Sequence, residues 1–236
     1  MARLPRLVIP FQAHHVTQCG IDRQPIFRDD ADHLAFLGWL RSAAKQFKVA
    51  LHAYVLMQDH IQLLLSPSDV DGLGRMMQWI GRLYVPYFNQ KYGRAGTLWQ
   101  GRFKASVIDS EAYFMLCSRY IELDPVRANL VADPGDYRWS SYAHHSGAQA
   151  DNLITDHPLY WALGNTPFER EAAYKELARQ PLGLDEINTL NLAVPKGWAL
   201  GSDRFKKNLE KRILRRVSPA KRGRPAKKSQ PPDSSV

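Results

Sequence analysis

Val49-Ala50-Leu51-His52-Ala53-Tyr54-Val55-Leu56-Met57, followed by Gln58-Asp59 and then His60-Ile61-Gln62-Leu63-Leu64-Leu65-Ser66, decides how this chain folds. Two apolar runs are separated by a tight polar pair, which is a hairpin pattern. Strands at Val49–Met57 and His60–Ser66 are expected. Upstream, His14–Cys19 reads as a short strand followed by a Gly-Ile-Asp turn. Between them, Leu34, Leu37, Leu40 and Ala44 recur at helical spacing, so a helix is expected from Asp29 to Phe47, with Asp29 or Asp30 as its cap. Downstream, Leu73 to about Tyr92 reads as a second long helix and Phe103–Ile108 as a further strand. Ser110, with Glu111 after it, can cap a third helix that runs to Leu123 and is terminated by Pro125. The order strand, helix, strand, strand, helix, strand, helix suits an α+β fold. It is close to a ferredoxin-like antiparallel sheet with helices on one face.

The chain has 236 residues, of which 44% are hydrophobic and 11% aromatic, enough for a proper core. No apolar run approaches the roughly eighteen residues a membrane span needs. Met1–Pro10 has no apolar signal segment, and Cys19 and Cys117 make no disulfide framework. A cytoplasmic protein without membrane partners is expected. Residues 1–202 carry 20 Lys+Arg and 20 Asp+Glu, whereas residues 203–228 carry twelve basic residues against Asp203 and Glu210. Charge segregated in this way suits an anionic polymer, because each phosphate contact releases condensed counterions. Three regions follow: a patterned body at 1–145, shorter helices at 152–217 broken by Pro158, Pro167, Pro181 and Pro195, and a basic tail at 218–236 expected to be disordered.

Two residue pairs carry candidate chemistry. Strand alternation sends His60 and Gln62 to one face, where they could grip a metal or simply hydrogen-bond within the core. Tyr120 and Asp124 are four apart and so share a helical face; they could be a nucleophile and a metal ligand, or a core tyrosine and a helix-end carboxylate.

Ordered motifs along nearly the whole chain resemble those of the REP-associated tyrosine transposases, a branch of the single-strand insertion-sequence transposases with one catalytic tyrosine. They include Ala13-His14-His15-Val16-Thr17-Gln18, Leu51-His52-Ala53-Tyr54-Val55-Leu56-Met57 and His60-Ile61-Gln62-Leu63-Leu64-Leu65. Gly96-Thr97-Leu98-Trp99-Gln100-Gly101-Arg102-Phe103, Tyr120-Ile121-Glu122-Leu123-Asp124-Pro125-Val126-Arg127-Ala128, Trp139-Ser140-Ser141-Tyr142 and Gly197-Trp198-Ala199-Leu200-Gly201-Ser202 continue the series. The resemblance implies a ferredoxin-like catalytic domain in which a helix-borne tyrosine attacks a single-stranded DNA phosphodiester, leaving a 5′-phosphotyrosine and a free 3′-hydroxyl. By position it makes Tyr120 the nucleophile and His60, Gln62 and Asp124 the ligands of a divalent metal.

This chain departs from the family pattern in having Gln58-Asp59-His60-Ile61-Gln62 where Pro-Asn-His and a second histidine are usual. Asp124 stands where Asn is usual, and Cys19 where a basic residue is common. One imidazole with two oxygen donors suits Mg²⁺ or Mn²⁺ better than Zn²⁺. Either the site is compensated and nicks DNA, or the chain is a catalytically silent DNA-binding protein. A third reading is a transcription regulator that works through its C-terminal helices.

Arg94, Arg102 and Lys104 flank the site in sequence and could hold the DNA backbone. In the tail, Arg222-Gly223-Arg224 resembles an AT-hook core, which would enter the minor groove of A·T-rich duplex. The expected partners are single-stranded and hairpin DNA, with the protein a monomer or homodimer.

Overall fold

The computed structural model describes residues 6–219. Its first half runs β1 (His14–Cys19), α1 (Asp30–Gln46), β2 (Val49–Leu56), β3 (His60–Pro67), α2 (Gly72–Lys91), β4 (Lys104–Val107) and α3 (Ser110–Glu122). The four strands form one antiparallel sheet in the order β2-β3-β1-β4, the ferredoxin-like arrangement the element order implied. The β2–β3 hairpin closes through Met57 N–H donating to His60 O at 2.9 Å, and the Gln58 carbonyl accepts from Ile26 N and Phe27 N. Asp29 is the α1 cap, accepting from Asp32 N at 3.0 Å.

Side-chain alternation gives the sheet two faces. Tyr54, Leu56, Ile61, Leu63 and Leu65 point toward α1 and α2, where Phe36, Leu40, Ile80 and Tyr84 complete a buried cluster. α1 and α2 therefore cover one face, as expected. A bulge between Leu51 and Ala53 keeps Ala53 and Val55 on the opposite face with Leu64. That second face is covered too, by α3 through Phe114, Cys117 and Ile121 and by a later helix, α8 (Leu184–Lys196), through Leu190 and Ala193.

Two details of α3 differ from the sequence expectation. Its N-cap is Asp109, not Ser110, and the Asp109 carboxylate makes no capping bond but accepts from Ser202 Oγ at 3.1 Å. At the other end α3 stops at Glu122, and Asp124 opens a separate turn, α4 (Asp124–Arg127). Pro125 sits in the first turn of α4, where its missing N–H costs nothing. Tyr120 and Asp124 are thus on consecutive helical segments rather than on one helix.

The chain continues through α5 (Tyr142–His145), α6 (Pro158–Trp161), α7 (Pro167–Arg179), α8 and α9 (Asp203–Ile213). Pro158 and Pro167 begin helices rather than breaking them, and Pro195 lies inside the end of α8. Residues 184–217 pack directly on the sheet. Leu200 N donates to Val107 O at 2.8 Å and Asp109 N to Leu200 O at 2.7 Å, and Val107, Ala199, Leu209 and Val217 share a buried cluster.

Candidate functional site

His60 and Gln62 project from β3 onto the α3/α8 face, and α4 brings Asp124 over them. Asp124 Oδ2 lies 2.9 Å from His60 Nε2 and accepts from Gln62 Nε2 at 2.5 Å. The other His60 nitrogen, Nδ1, lies 2.6 Å from Asp59 Oδ1, so that ring is aimed by a carboxylate behind it. The remaining Asp124 oxygen accepts from Arg127 Nη2 at 2.7 Å. The expected trio therefore converges on one carboxylate.

Tyr120 borders this centre. It is buried at 8% exposure, and the Arg127 guanidinium lies 4.0 Å from its ring centroid while also donating to the Tyr120 carbonyl at 2.5 Å. The His15 ring meets its edge at 5.8 Å between centroids. The Tyr120 hydroxyl donates to Asn191 Oδ1 of α8 at 2.6 Å. Arg127 thus links Asp124 to Tyr120, and His15 links Tyr120 to Gln62, whose Oε1 lies 2.8 Å from His15 Nε2.

Burial and charge set the protonation of the group. Burial alone would depress the His60 imidazole, but the hydrogen bonds it donates to Asp124 and Asp59 lift it to about 9. Burial pushes the Asp124 carboxyl up, but His60 and Arg127 outweigh it and hold the group below the usual carboxylate range. Burial raises the Tyr120 phenol against the opposing pull of Arg127, so the hydroxyl is protonated near neutral pH. Burial holds His15 down to about 4, neutral despite its bond to Gln62.

The donor set fits a hard divalent cation through two residues once the ion takes the place of the His60 Nε2 proton. His60 Nε2 and Asp124 Oδ2 face each other, and a second carboxylate orients the imidazole. Gln62 fits only with its side chain turned over, because its oxygen is turned to His15 and its amide nitrogen toward Asp124. Turning it would make His15 Nε2 an acceptor and move that ring's proton to Nδ1. This buried atom has no partner among the described residues. Leaving a buried N–H unsatisfied costs roughly 1–3 kcal/mol, so His15 opposes ligation by Gln62.

One other metal-like group stands among the described residues: His144, His145 and Asp156, with candidate ligand atoms within 4.8 Å of one another. His144 Nδ1 accepts from Asp151 N at 3.1 Å, which places the proton on Nε2, the atom 3.1 Å from Asp156 Oδ1. An ion here would have to displace that proton, as at His60, and would also compete with Glu122 Oε1 for His145 Nδ1, 2.7 Å apart, so the group as it stands is a hydrogen-bonded cluster.

Of the three body cations expected near DNA, Lys104 lies in one cross-strand row with Thr17 and Gln62, two strand spacings or about 10 Å from Gln62. Arg102 and Lys104 line a common recess with Arg6, Lys196 and Arg215. Arg94 lies apart from them, its guanidinium 5.6 Å from the Phe88 ring centroid and 3.5 Å from Gln24 Oε1. Arg222, Gly223 and Arg224 lie outside the described residues. Sequence reasoning gave no role to His15, Asp59, Arg127 or Asn191. His15 is two residues from Thr17 on the same strand face, and Arg127 is three residues from Asp124, so both had a spacing signal. Asn191, 71 residues from Tyr120, had none.

The βαββαβ sheet, with a polar centre between its second face and a helix-borne tyrosine, defines a ferredoxin-like α+β domain. Residues 11–124, 114 of the chain's 236, match the family model for IS200-like transposases. The match ends at Asp124, so it spans the sheet, Tyr120 and the polar trio. Among solved structures, a REP-associated tyrosine transposase bound to a REP hairpin is similar in fold. Its TM-score is 0.52 at 16% identity, covering 66% of this chain and 92% of that one. A candidate transposase from Deinococcus radiodurans R1 aligns with a TM-score of 0.35 at 23% identity, over 51% of this chain and 96% of that one. No curated protein matches. Among the described residues no helix is long and apolar enough to cross a membrane.

Proposed function

We propose that this protein is an IS200-like transposase that nicks and rejoins single-stranded DNA at hairpin-forming palindromic repeats, with Tyr120 as nucleophile. The observation that carries the reading is the convergence of His60, Gln62 and Asp124 on one point beside Tyr120, with Arg127 touching both Asp124 and the tyrosine. In the reaction the Tyr120 oxygen attacks phosphorus and loses its proton. The bond from phosphorus to the 3′ oxygen breaks, and that oxygen takes up a proton to leave as a hydroxyl. The 5′-phosphotyrosine conserves the bond energy, so strand transfer needs no nucleotide cofactor. Arg127 sits where its charge favours the tyrosinate over the phenol.

Mg²⁺ or Mn²⁺ held by His60 and Asp124, with Gln62 turned over, would polarise the scissile phosphate and stabilise charge developing there. His60 and Asp124 hold each other in place without it, and Asp59 fixes the imidazole. Arg102 and Lys104 would take the strand backbone, and the Arg222-Gly223-Arg224 segment an A·T-rich duplex.

A second reading is favoured by one observation. The reactive atoms are already engaged, His60 Nε2 and Gln62 Nε2 with Asp124 and the Tyr120 hydroxyl with Asn191. A protein with those contacts locked would bind hairpins without cutting them. Incubating the protein with hairpin oligonucleotides from repeats flanking its gene, carrying a label on the phosphate 3′ to each candidate cleavage point, separates the two readings. Label transferred to protein in Mg²⁺ or Mn²⁺ supports nicking; tight binding without transfer supports the silent binder.

A further inference from the structure

On the sheet face away from Tyr120, a cavity of about 460 Å³ opens between α2 and the segment leading into β4. Its walls are flat and fixed. The Trp99 ring stacks on Tyr84 at 6.0 Å between centroids and 27° between planes. Phe103 carries the Arg6 guanidinium 3.7 Å from its ring centroid. Gln18 and Gln78 bring two amides to the lining, and Arg102 one more cation.

The α2 side of the cavity is left open by Gly74 and Gly81, seven residues apart and so on one helical face. A Cβ at Gly74 would meet nothing within 4 Å, and one at Gly81 only Trp99 Nε1 at 3.7 Å. Packing inside the protein therefore does not require glycine at either position, although glycine weakens a helix interior.

At Arg6, Arg102 and Phe103 the cavity shares its lining with a smaller recess of about 90 Å³ at the start of β4. Every charged residue lining that recess is cationic: Arg6, Arg102, Lys104, Lys196 and Arg215. The body up to residue 202 is formally neutral, so such one-sided lining is a local feature. The recess reaches Lys104, which shares a cross-strand row with Gln62 on the opposite sheet face.

From these features we infer that the Trp99–Phe103 cavity holds one unpaired base of the DNA strand, while the adjoining cations carry its backbone round the start of β4 toward Tyr120. Aromatic walls take the face of any base, and paired amides supply donors and acceptors for its edge. A base in duplex could not enter without leaving its stack, so the ligand is single-stranded. The inference rests on the functional reading above and extends it by giving that reading a second, separate contact with the substrate.

Gly74→Leu provides the test, because it fills the cavity from an open position on a helix and should leave thermal stability equal or higher. The probes are a blunt hairpin oligonucleotide and the same hairpin with a single-stranded extension, in which 2-aminopurine replaces each extension base in turn. The native protein should quench 2-aminopurine at one position. Gly74→Leu should abolish that quenching and weaken binding of the extended hairpin roughly tenfold, within the range expected for losing one stacked base. Affinity for the blunt hairpin should not change. If the native protein binds the extended hairpin and Gly74→Leu binds it equally well with the same quenching, the cavity inference is overturned while the functional reading stands. If the native protein binds neither oligonucleotide, both are overturned.

Discussion

The Tyr120 hydroxyl donates a 2.6 Å hydrogen bond to Asn191 Oδ1, so the proposed nucleophile of the sheet domain is held by a helix that begins 64 residues after it. For attack, the hydroxyl must leave this acceptor and turn to a phosphate. Asn191→Ala should therefore keep hairpin affinity and raise the rate of covalent adduct formation a few-fold. It should cost about 1 kcal/mol of stability for the lost bond. Adduct kinetics under single-turnover conditions check this. A loss of more than tenfold would instead make Asn191 a group that positions the nucleophile.

The polar trio should behave as a compensated set. Asp124 supplies the one carboxylate among His60, Gln62 and Asp124, and it also holds Arg127. Asp124→Asn should cut adduct formation and cost about 2 kcal/mol or more, since it leaves His60 and Arg127 short of a charged partner. Gln62→His should restore activity to Asp124→Asn, because an imidazole there does not depend on the amide orientation His15 imposes. Metal titration of the variants, followed by Mn²⁺ electron spin resonance, gives a readout independent of cutting. A double variant no more active and no tighter for Mn²⁺ than Asp124→Asn would show that these residues do not share a metal.

Glu122 is the most buried carboxylate that joins the sheet domain to the later helices. It accepts from Ser141 Oγ, from His145 Nδ1 at 2.7 Å and from the Tyr174 hydroxyl at 2.5 Å. Glu122→Ala removes the acceptor that three buried donors share, leaving His145 Nδ1 without a partner among the described residues, and should destabilise the protein by ~3–5 kcal/mol. Urea denaturation checks it; a loss below 1 kcal/mol would mean that the later helices are held without this network.

Much of this architecture was legible in the sequence because it follows from periodicity. Alternation in His60-Ile61-Gln62 fixed which side chains share a face, and helical spacing from Leu34 to Ala44 fixed α1. What escaped were contacts set by tertiary packing. Nothing in the Tyr-Ile-Glu-Leu-Asp run marks Glu122 as fully buried, since its partners lie 19, 23 and 52 residues away. Nor does Pro125 announce that it opens a new turn rather than closing the old one. Element order alone places the helices on one sheet face; the cover that α3 and α8 give the other was not legible, because α8 follows a long, proline-punctuated stretch.

Acid should unfold the protein through its buried histidines. Burial holds His14, His15 and His52 down to about 4, against about 6.5 in an unfolded chain. Above pH 6.5 the three rings are neutral in either state and their contribution is at its full value. As pH falls from 6.5 toward 4, the unfolded chain binds three protons that the folded chain does not, and stability drops by up to ~4 kcal/mol per pH unit. Urea midpoints at pH 7 and pH 5 measure the effect, and His52→Gln should reduce it by about a third. Equal stability of the native protein at the two pH values would contradict it.

The central claim is that Tyr120 becomes covalently joined to DNA. Mass spectrometry of the digested adduct, formed with a hairpin oligonucleotide in Mn²⁺, reads the attachment site directly. The account predicts a nucleotide phosphate on the peptide containing Tyr120, and no adduct from Tyr120→Phe at unchanged hairpin affinity. An adduct that persists in Tyr120→Phe, or maps to Tyr113, would contradict it.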